Sequence, residues 1–158
     1  MRTSITTTEA CLVASLVDTN ILVYRCDPID PDKSAKASDL LRQGLAANRL
    51  YLPHQALVEF VNAVTKPRAG GRSLLSLEEA WRQAEDLLNE FPVLYPNEKV
   101  FRIAMLGMAA YRFPWYDAHL WAYAEHYGLA ELLSEDFEHG RRYGSVRVRN
   151  PFLAAGLG

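Results

Sequence analysis

The sequence predicts an α/β domain of three layers, α/β/α, around a central, mostly parallel sheet of about five strands. Three observations carry that expectation. Short apolar runs alternate along the chain with longer amphipathic segments, the order that builds crossover connections. The runs are apolar throughout rather than alternating, as strands covered on both faces are. At 158 residues, 49% of them hydrophobic, the chain has enough apolar material to bury one sizeable core.

Taken in order, "SLVDTNILVY" reads as a buried strand running into a short turn or helix. The segment "DPIDPDKSAKASDLLRQGLAANR" has proline at its front and Ala37, Leu40, Leu41 and Leu45 at helical spacing, so a helix follows. "LYLP" is a short strand ended by Pro53, "HQALVEFVNAVTK" a helix, and "PRAGGRS" a mobile, basic, glycine-rich loop. Ser76 opens a capping-box pattern, S-L-E-E, ahead of the helix "LEEAWRQAEDLLNEF". "PVLYP" is a third strand between prolines, and "NEKVFRIAMLGMAAYR" and "FPWYDAHLWAYAEHYG" are two further helices, the second stopped by Gly128. "AELLSEDF" runs from strand into loop, and "GSVRVRNPF" holds the last strand. No repeat or linker divides the chain, so residues 13–155 form one domain and residues 1–12 a loose extension.

Composition narrows the function classes. Seventeen basic and nineteen acidic residues leave a net charge of −2, which argues against a general nucleic-acid coat but leaves room for a local basic surface. Cys11 and Cys26 lie in no metal or redox spacing and read as reduced thiols of a cytoplasmic protein. No apolar run approaches the ~20 residues that cross a bilayer, and the apolar stretch Cys11–Val17 lacks a basic lead-in and a cleavage site.

Four acids stand where strands end or where the helices that leave them begin. Asp18 closes the first strand, Glu59 lies in the helix after the second, Asp117 opens its helix, and Asp136 follows "AELL". In open parallel sheets ligands bind beyond the carboxyl ends of the strands, so these four distant positions are expected to converge. Each has an ordinary role too: Asp18, Asp117 and Asp136 suit turns or N-caps, and Glu59 suits a polar stripe with Gln55 and Asn62. Glu59 is nevertheless flanked by Leu57, Val58, Phe60 and Val61, where a carboxylate needs compensation. Four convergent carboxylates require a positive charge among them, and an all-oxygen donor set suits Mg²⁺ or Mn²⁺ rather than zinc. Such an ion is the usual equipment for phosphodiester hydrolysis.

The motifs "VDTNILVY", "ALVEFVNAV", "YDAHLWAYAEHYGLAELLSEDF" and the trailing glycine, valine and Asn-Pro-Phe together resemble a PIN-domain ribonuclease, and within that group the VapC toxins of bacterial toxin–antitoxin pairs. The resemblance runs from about Leu16 to Phe152, and the ordered set of four motifs is far more specific than D-T-N alone. It implies that Asp18, Glu59, Asp117 and Asp136 are the metal-binding catalytic acids, with Asn20 and Ser134 as supporting neighbours. It also implies Mg²⁺-dependent cleavage of RNA leaving a 5′-phosphate, a five-stranded parallel sheet, a homodimer, and inhibition by a cognate VapB-type antitoxin. The bulky "FPWY" before Asp117 departs from the family pattern, as does the long N-terminus.

Arg68 and Arg72, with Lys66, are candidates to track an RNA backbone, and Arg141 and Arg142 form a second group; a solvated face or antitoxin contacts would explain either equally. The four histidines read as non-ligating. Trp115, Tyr116, Trp121 and Tyr123 could stack bases, although an aromatic-rich helix is more often core or dimer interface. Two rival readings have discriminating features. A PIN-like module that binds RNA or protein without cutting would not need all four acids. An aspartyl-phosphate phosphatase would want a second acid two residues beyond Asp18, where Asn20 stands. A housekeeping RNA-processing nuclease shares the chemistry of the toxin and differs only in partner.

Overall fold

The computed structural model describes residues 13–153; the expected extension over 1–12, Cys11 with it, and the domain's last positions to 155 lie outside the described residues. The elements run β1 Ser15–Val17, α1 Thr19–Arg25, α2 Pro31–Ala46, β2 Leu50–Pro53, α3 His54–Thr65, α4 Leu77–Glu90, β3 Val93–Leu94, α5 Glu98–Tyr111, α6 Trp115–Tyr127, β4 Glu131–Leu133, β5 Arg142–Tyr143 and β6 Val146–Arg149.

The sheet has six strands in the order β3-β2-β1-β4-β6-β5. Five of them, β3, β2, β1, β4 and β6, are parallel neighbours, and β5 pairs antiparallel with β6 at the edge. The expected five-stranded parallel sheet is therefore present, with a two-residue strand added. β5 is too short to show a pattern of its own; it exists because the chain doubles back through Gly144 (φ 58°) before entering β6.

Alternation along the short strands separates the layers. Leu16 and Leu132 pack with Val100, Ala104 and Trp121 on the α5/α6 side, while Val17 and Leu133 pack with Ile21, Leu41, Phe60 and Leu87 on the α1–α4 side. Adjacent strand residues point to opposite faces, so three residues suffice to feed both cores. This explains why the strands read as uninterrupted apolar runs.

The helix ends follow local chemistry. Asp30 caps α2 through the Lys33 amide with Pro31 in the first turn, and Ser76 and Glu79 form a complete capping box at α4. Gly128 (φ 69°) ends α6 in the left-handed region, as its position after the periodic run predicts. Helix α6 itself has no polar face: Ala118, Leu120, Trp121, Ala122, Tyr123 and Ala124 are all buried, so the helix that carries Asp117 is rigidly embedded.

The α5/α6 contact is closest at Gly107, where an added Cβ would stand 2.7 Å from the Trp121 ring. The Trp121 indole is fixed on its other side by donating to the Tyr143 carbonyl (3.0 Å), so it has little room to yield. Gly107→Ala is accordingly expected to destabilise the fold by about 1–3 kcal/mol, as overpacking does. Urea unfolding monitored by tryptophan fluorescence reads this as a lowered midpoint at unchanged slope.

Candidate active site

The chain leaves β1 for β2 and β3 on one side and returns to β4 on the other, so the strand order reverses at β1 and β4. A crevice opens at such a switch point beyond the carboxyl ends of the strands. Here it is a cleft of about 380 Å³ lined by Asp18, Glu59, Asp117 and Asp136 together with Thr19, Asn20, Gln55, Tyr116 and others. The four acids expected to converge do converge, and Asn20 comes with them.

Asp18 is reached directly from β1, whose last hydrogen bond runs from the Asp18 amide to the Leu133 carbonyl of β4 (3.0 Å). Its carboxylate caps α1 by accepting from the Thr19 amide (2.6 Å), so the ordinary role and the site role fall on one residue. Ser134, fully buried just after β4, donates its hydroxyl to the other oxygen of Asp18 and accepts from the Asp136 amide (3.0 Å). The Asn20 amide group donates to Asp18 (3.3 Å) and to Asp136 (3.1 Å). Ser134 and Asn20 thus tie the end of β1 to the turn after β4.

Glu59 lies on the second turn of α3, half-buried on the stripe that includes Gln55. The stripe faces the cleft. Thr19 donates to one Glu59 oxygen (2.8 Å) and Gln55 to the other (2.6 Å), while Gln55 also donates to the Tyr116 carbonyl (3.0 Å). Gln55 therefore joins α3 to the first turn of α6, where Asp117 sits. Asp117 is the third residue of α6 rather than its cap; Pro114 holds that place. Asp136 caps no helix either.

Electrostatics show how close the acids are. Burial pushes the Asp18 carboxyl up to about 7, with Asp136 and Asp117 adding to the rise against hydrogen bonds from Ser134 and Thr19. Asp117 is raised by burial, then by Asp136 and Glu59. Among the described residues no three His, Cys, Asp or Glu side chains already close on a single point in the way a finished metal cage would. The donor chemistry nonetheless fits a hard divalent cation: every candidate ligand is a carboxylate oxygen, and the like-charge repulsion is what such an ion relieves. A buried, unpartnered atom marks the same place. The Asn20 Oδ1 accepts no hydrogen bond although its amide nitrogen serves two acids.

The arginines separate into two groups. Arg68 lines the cleft, paired with buried Asp27 through Nη1 (2.9 Å), and its loop is hydrogen-bonded rather than loose, with the Arg68 amide donating to the Arg72 carbonyl (3.0 Å) and the Gly71 amide to the Arg68 carbonyl (2.9 Å). Arg72 is exposed and does not line the cleft. Arg141 pairs with Glu138 (3.0 Å) and lies over the Tyr143 ring, and Arg142 donates to the Ser145 carbonyl (3.3 Å); both belong to the β5 edge, away from the acids. Of the aromatic residues, Trp121 and Tyr123 are core, Trp115 packs on Phe101 and His119, and Tyr116 stands 70% exposed at the cleft. The histidines engage Tyr95, Asn97, Asn150 and aromatic neighbours, not the acids. Thr19 and Asp27 escape sequence reasoning, as does the reach of Gln55 beyond its stripe with Glu59. The D-T-N triplet is the one local hint for Thr19, and the Gln55 contact to Tyr116 and the Asp27 contact to Arg68 span 61 and 41 residues.

Comparison with known proteins agrees with this geometry. The PIN domain family model matches residues 15–144, and the chain belongs to that family. Similar solved structures include the sarcin-ricin loop cleaving toxin VapC20 of Mycobacterium tuberculosis (TM-score 0.60, 14% identity, 77% of this chain and 89% of that one). Others are a toxin–antitoxin complex from Klebsiella pneumoniae (0.61, 18%, 87% and 97%) and VapBC2 of Rickettsia felis bound to a promoter DNA fragment (0.64, 13%, 86% and 97%). At these identities the likeness is one of fold. No curated protein matches by sequence.

The raised Asp18 carboxyl has a signed consequence. In the folded state it keeps its proton to about pH 7, whereas the unfolded chain loses it near 3.8. The folded state therefore binds more protons across that window, and stability without divalent ions falls as pH rises from about 4 to 7, by at most ~1.4 kcal/mol per pH unit for this one group. Urea midpoints in EDTA are expected to drop between pH 5 and pH 8 for the wild type and to stay flatter for Asp18→Asn, with Mn²⁺ restoring the wild type at pH 8 but not at pH 5. A wild-type profile parallel to that of the variant would contradict the assignment.

Proposed function

We propose that this PIN-domain protein is a Mg²⁺-dependent endoribonuclease, with Mn²⁺ as a substitute ion, and acts as the VapC-type toxin of a toxin–antitoxin pair. The observation that carries the reading is the meeting of Asp18, Glu59, Asp117 and Asp136, from four separate segments, at one cleft, where burial and then the neighbouring acids push the Asp18 and Asp117 carboxyls up. Structural charge networks alternate signs; this one is built of acids alone and is useful only with a cation in it.

In this reading the four acids hold the ion. When bound, it acidifies a water and neutralises charge developing on the attacked phosphate. The chain's own residues supply the order. Ser134 and Asn20 fix Asp18 against Asp136, and Thr19 and Gln55 clamp both oxygens of Glu59, so three of the four acids are held toward the cleft by side-chain donors. The raised Asp18 carries its proton below about pH 7 and would give it up to a bound ion, so ion affinity rises with pH up to that range. The product of such hydrolysis carries a 5′-phosphate.

The family and the fold support the partner reading. Three of the similar structures are complexes described as toxin–antitoxin or VapBC. A VapB-type antitoxin that covers the acid cleft is the matching partner here, alongside a homodimer in the cytoplasm. Among the described residues no helix is long and apolar enough to cross a membrane.

Purified protein is expected to cleave RNA with Mg²⁺ or Mn²⁺ and to stop in EDTA. Asp18→Asn, Glu59→Gln, Asp117→Asn and Asp136→Asn should each lower the rate by about a hundredfold or more, the scale of losing several kcal/mol of charge stabilisation. Gel analysis of 5′-labelled RNA measures this. Undiminished cleavage by Asp18→Asn, or cleavage in EDTA, would overturn the mechanism.

A further inference from the structure

The stretch "SEDF" holds two acids, and only one of them reaches the cleft. Asp136 lines it; Glu135, its chain neighbour, does not. Both Glu135 oxygens are engaged elsewhere. Tyr24 of α1 donates its hydroxyl to one (2.6 Å) and Lys33 of α2 its ammonium to the other (2.8 Å), and Lys33 also donates to the Tyr24 hydroxyl (3.1 Å). Three side chains from three segments thus close a ring of hydrogen bonds. The Lys33 and Glu135 side chains are 33% and 21% exposed, whereas the pairs along the helix surfaces run from 60% to 83%, so this ion pair is the better shielded from water.

The Asn-Pro-Phe segment backs the ring. The Asn150 side chain accepts from the Phe152 amide (2.9 Å) in the turn after β6, and the Phe152 ring meets Tyr24 edge-on at 5.0 Å, with the Lys33 ammonium 5.4 Å from its centre. On the cleft side Asp136 has less support than Asp18 or Glu59. Among the described residues its carboxylate accepts from a single side chain, Asn20 (3.1 Å). The rest of its placement comes from the backbone: the Ser134 amide donates to the Arg149 carbonyl (3.1 Å) and the Asp136 amide to the Ser134 hydroxyl (3.0 Å). Glu135 stands between those two residues, and its side chain anchors the short segment to α1 and α2.

We propose that Glu135 is a positioning residue of the metal site: Tyr24 and Lys33 hold its carboxylate, and through it the turn that presents Asp136 to the divalent ion. The inference rests on the metal-dependent nuclease reading and adds Tyr24, Lys33 and Glu135 to it. Groups that orient a metal ligand without touching the metal typically contribute roughly ten- to a hundredfold in metal affinity. The sign of the effect separates positioning from plain charge. Lys33 is a cation whose partner Tyr24 lines an acidic cleft, so by Coulomb's law its removal favours a bound cation. Its removal also releases Glu135, which would tighten binding if that acid were a fifth ligand. Positioning predicts the opposite, weaker binding.

The test titrates Mn²⁺ into the full metal-free chain, with free Mn²⁺ read by electron paramagnetic resonance, and follows RNA cleavage against Mn²⁺ concentration. Lys33→Met is expected to raise the Mn²⁺ Kd by about tenfold, and Lys33→Arg to recover most of the loss. Tyr24→Phe, which changes no charge, should raise it by about threefold, the scale of one hydrogen bond. Glu135→Ala should match Lys33→Met, and the two together should add nothing further, since the lysine acts through that carboxylate. In each single variant the Mn²⁺ activation curve moves to higher concentration while KM for RNA at saturating Mn²⁺ stays as in the wild type. The same change at an exposed position of α5, Lys99→Met, should leave the Kd where it is. Should Glu135→Ala fold poorly, Tyr24→Phe and Lys33→Met carry the test. Lys33→Met protein that binds Mn²⁺ as tightly as the wild type or more so, even with a lowered urea midpoint, would overturn the proposal and leave the nuclease reading standing. A wild type that binds no Mn²⁺ and cleaves no RNA would remove both.

Discussion

The hydrogen bond from Ser134 to Asp18 is the contact on which the site depends. It joins the residue that ends β1 to the residue that ends β4, the two strands between which the sheet order reverses. Asp18 is buried and its charge is disfavoured, so it needs donors: the Thr19 amide on one oxygen, Ser134 and Asn20 on the other. Those donors are also what places Asp136, because Ser134 receives the Asp136 amide and Asn20 bridges to its carboxylate. Meeting the needs of one buried acid thereby positions a second.

The same economy extends across the cleft. Thr19, whose amide serves Asp18, turns its hydroxyl to Glu59, and Gln55 carries the chain of contacts on to the first turn of α6. Asp18, Glu59 and Asp136 are therefore linked through short polar side chains, and the turn that carries Asp117 is tied to them through the Tyr116 carbonyl, while both faces of the sheet are filled with apolar residues. The polar and apolar parts do not compete for positions, since the strands end where the polar residues begin. Three-residue strands are enough because each residue feeds one of two cores and the next residue faces the cleft.

How much of this was legible in the sequence depended on range. The layer architecture, the capping box at Ser76, the stop at Gly128 and the four acids were all visible, because each rests on periodicity or on a residue's place relative to a strand end. The β5 strand was not, since two residues carry no period. The glycine-rich loop was expected to be mobile and is a closed turn, because its anchor, Asp27, is 41 residues distant and gives no local sign. Asp117 was readable as a helix opener but is the third residue of its helix, which starts at Trp115 directly after Pro114. Contacts between distant polar side chains are set by the fold and leave no spacing to read.

A cleft with five carboxylates and one guanidinium is a poor receptor for a polyanion by itself. On the proposed reading, a bound cation would offset the acids toward RNA and would displace the proton that Asp18 keeps up to about pH 7. Arg68 is held by Asp27 and not by any of the four convergent acids. A guanidinium paired with Asp18 or Asp136 would neutralise the site and displace the ion; tethered to a separate buried acid, it stays beside the cleft with its remaining donors open. The arrangement keeps the guanidinium apart from the four convergent acids within one cleft.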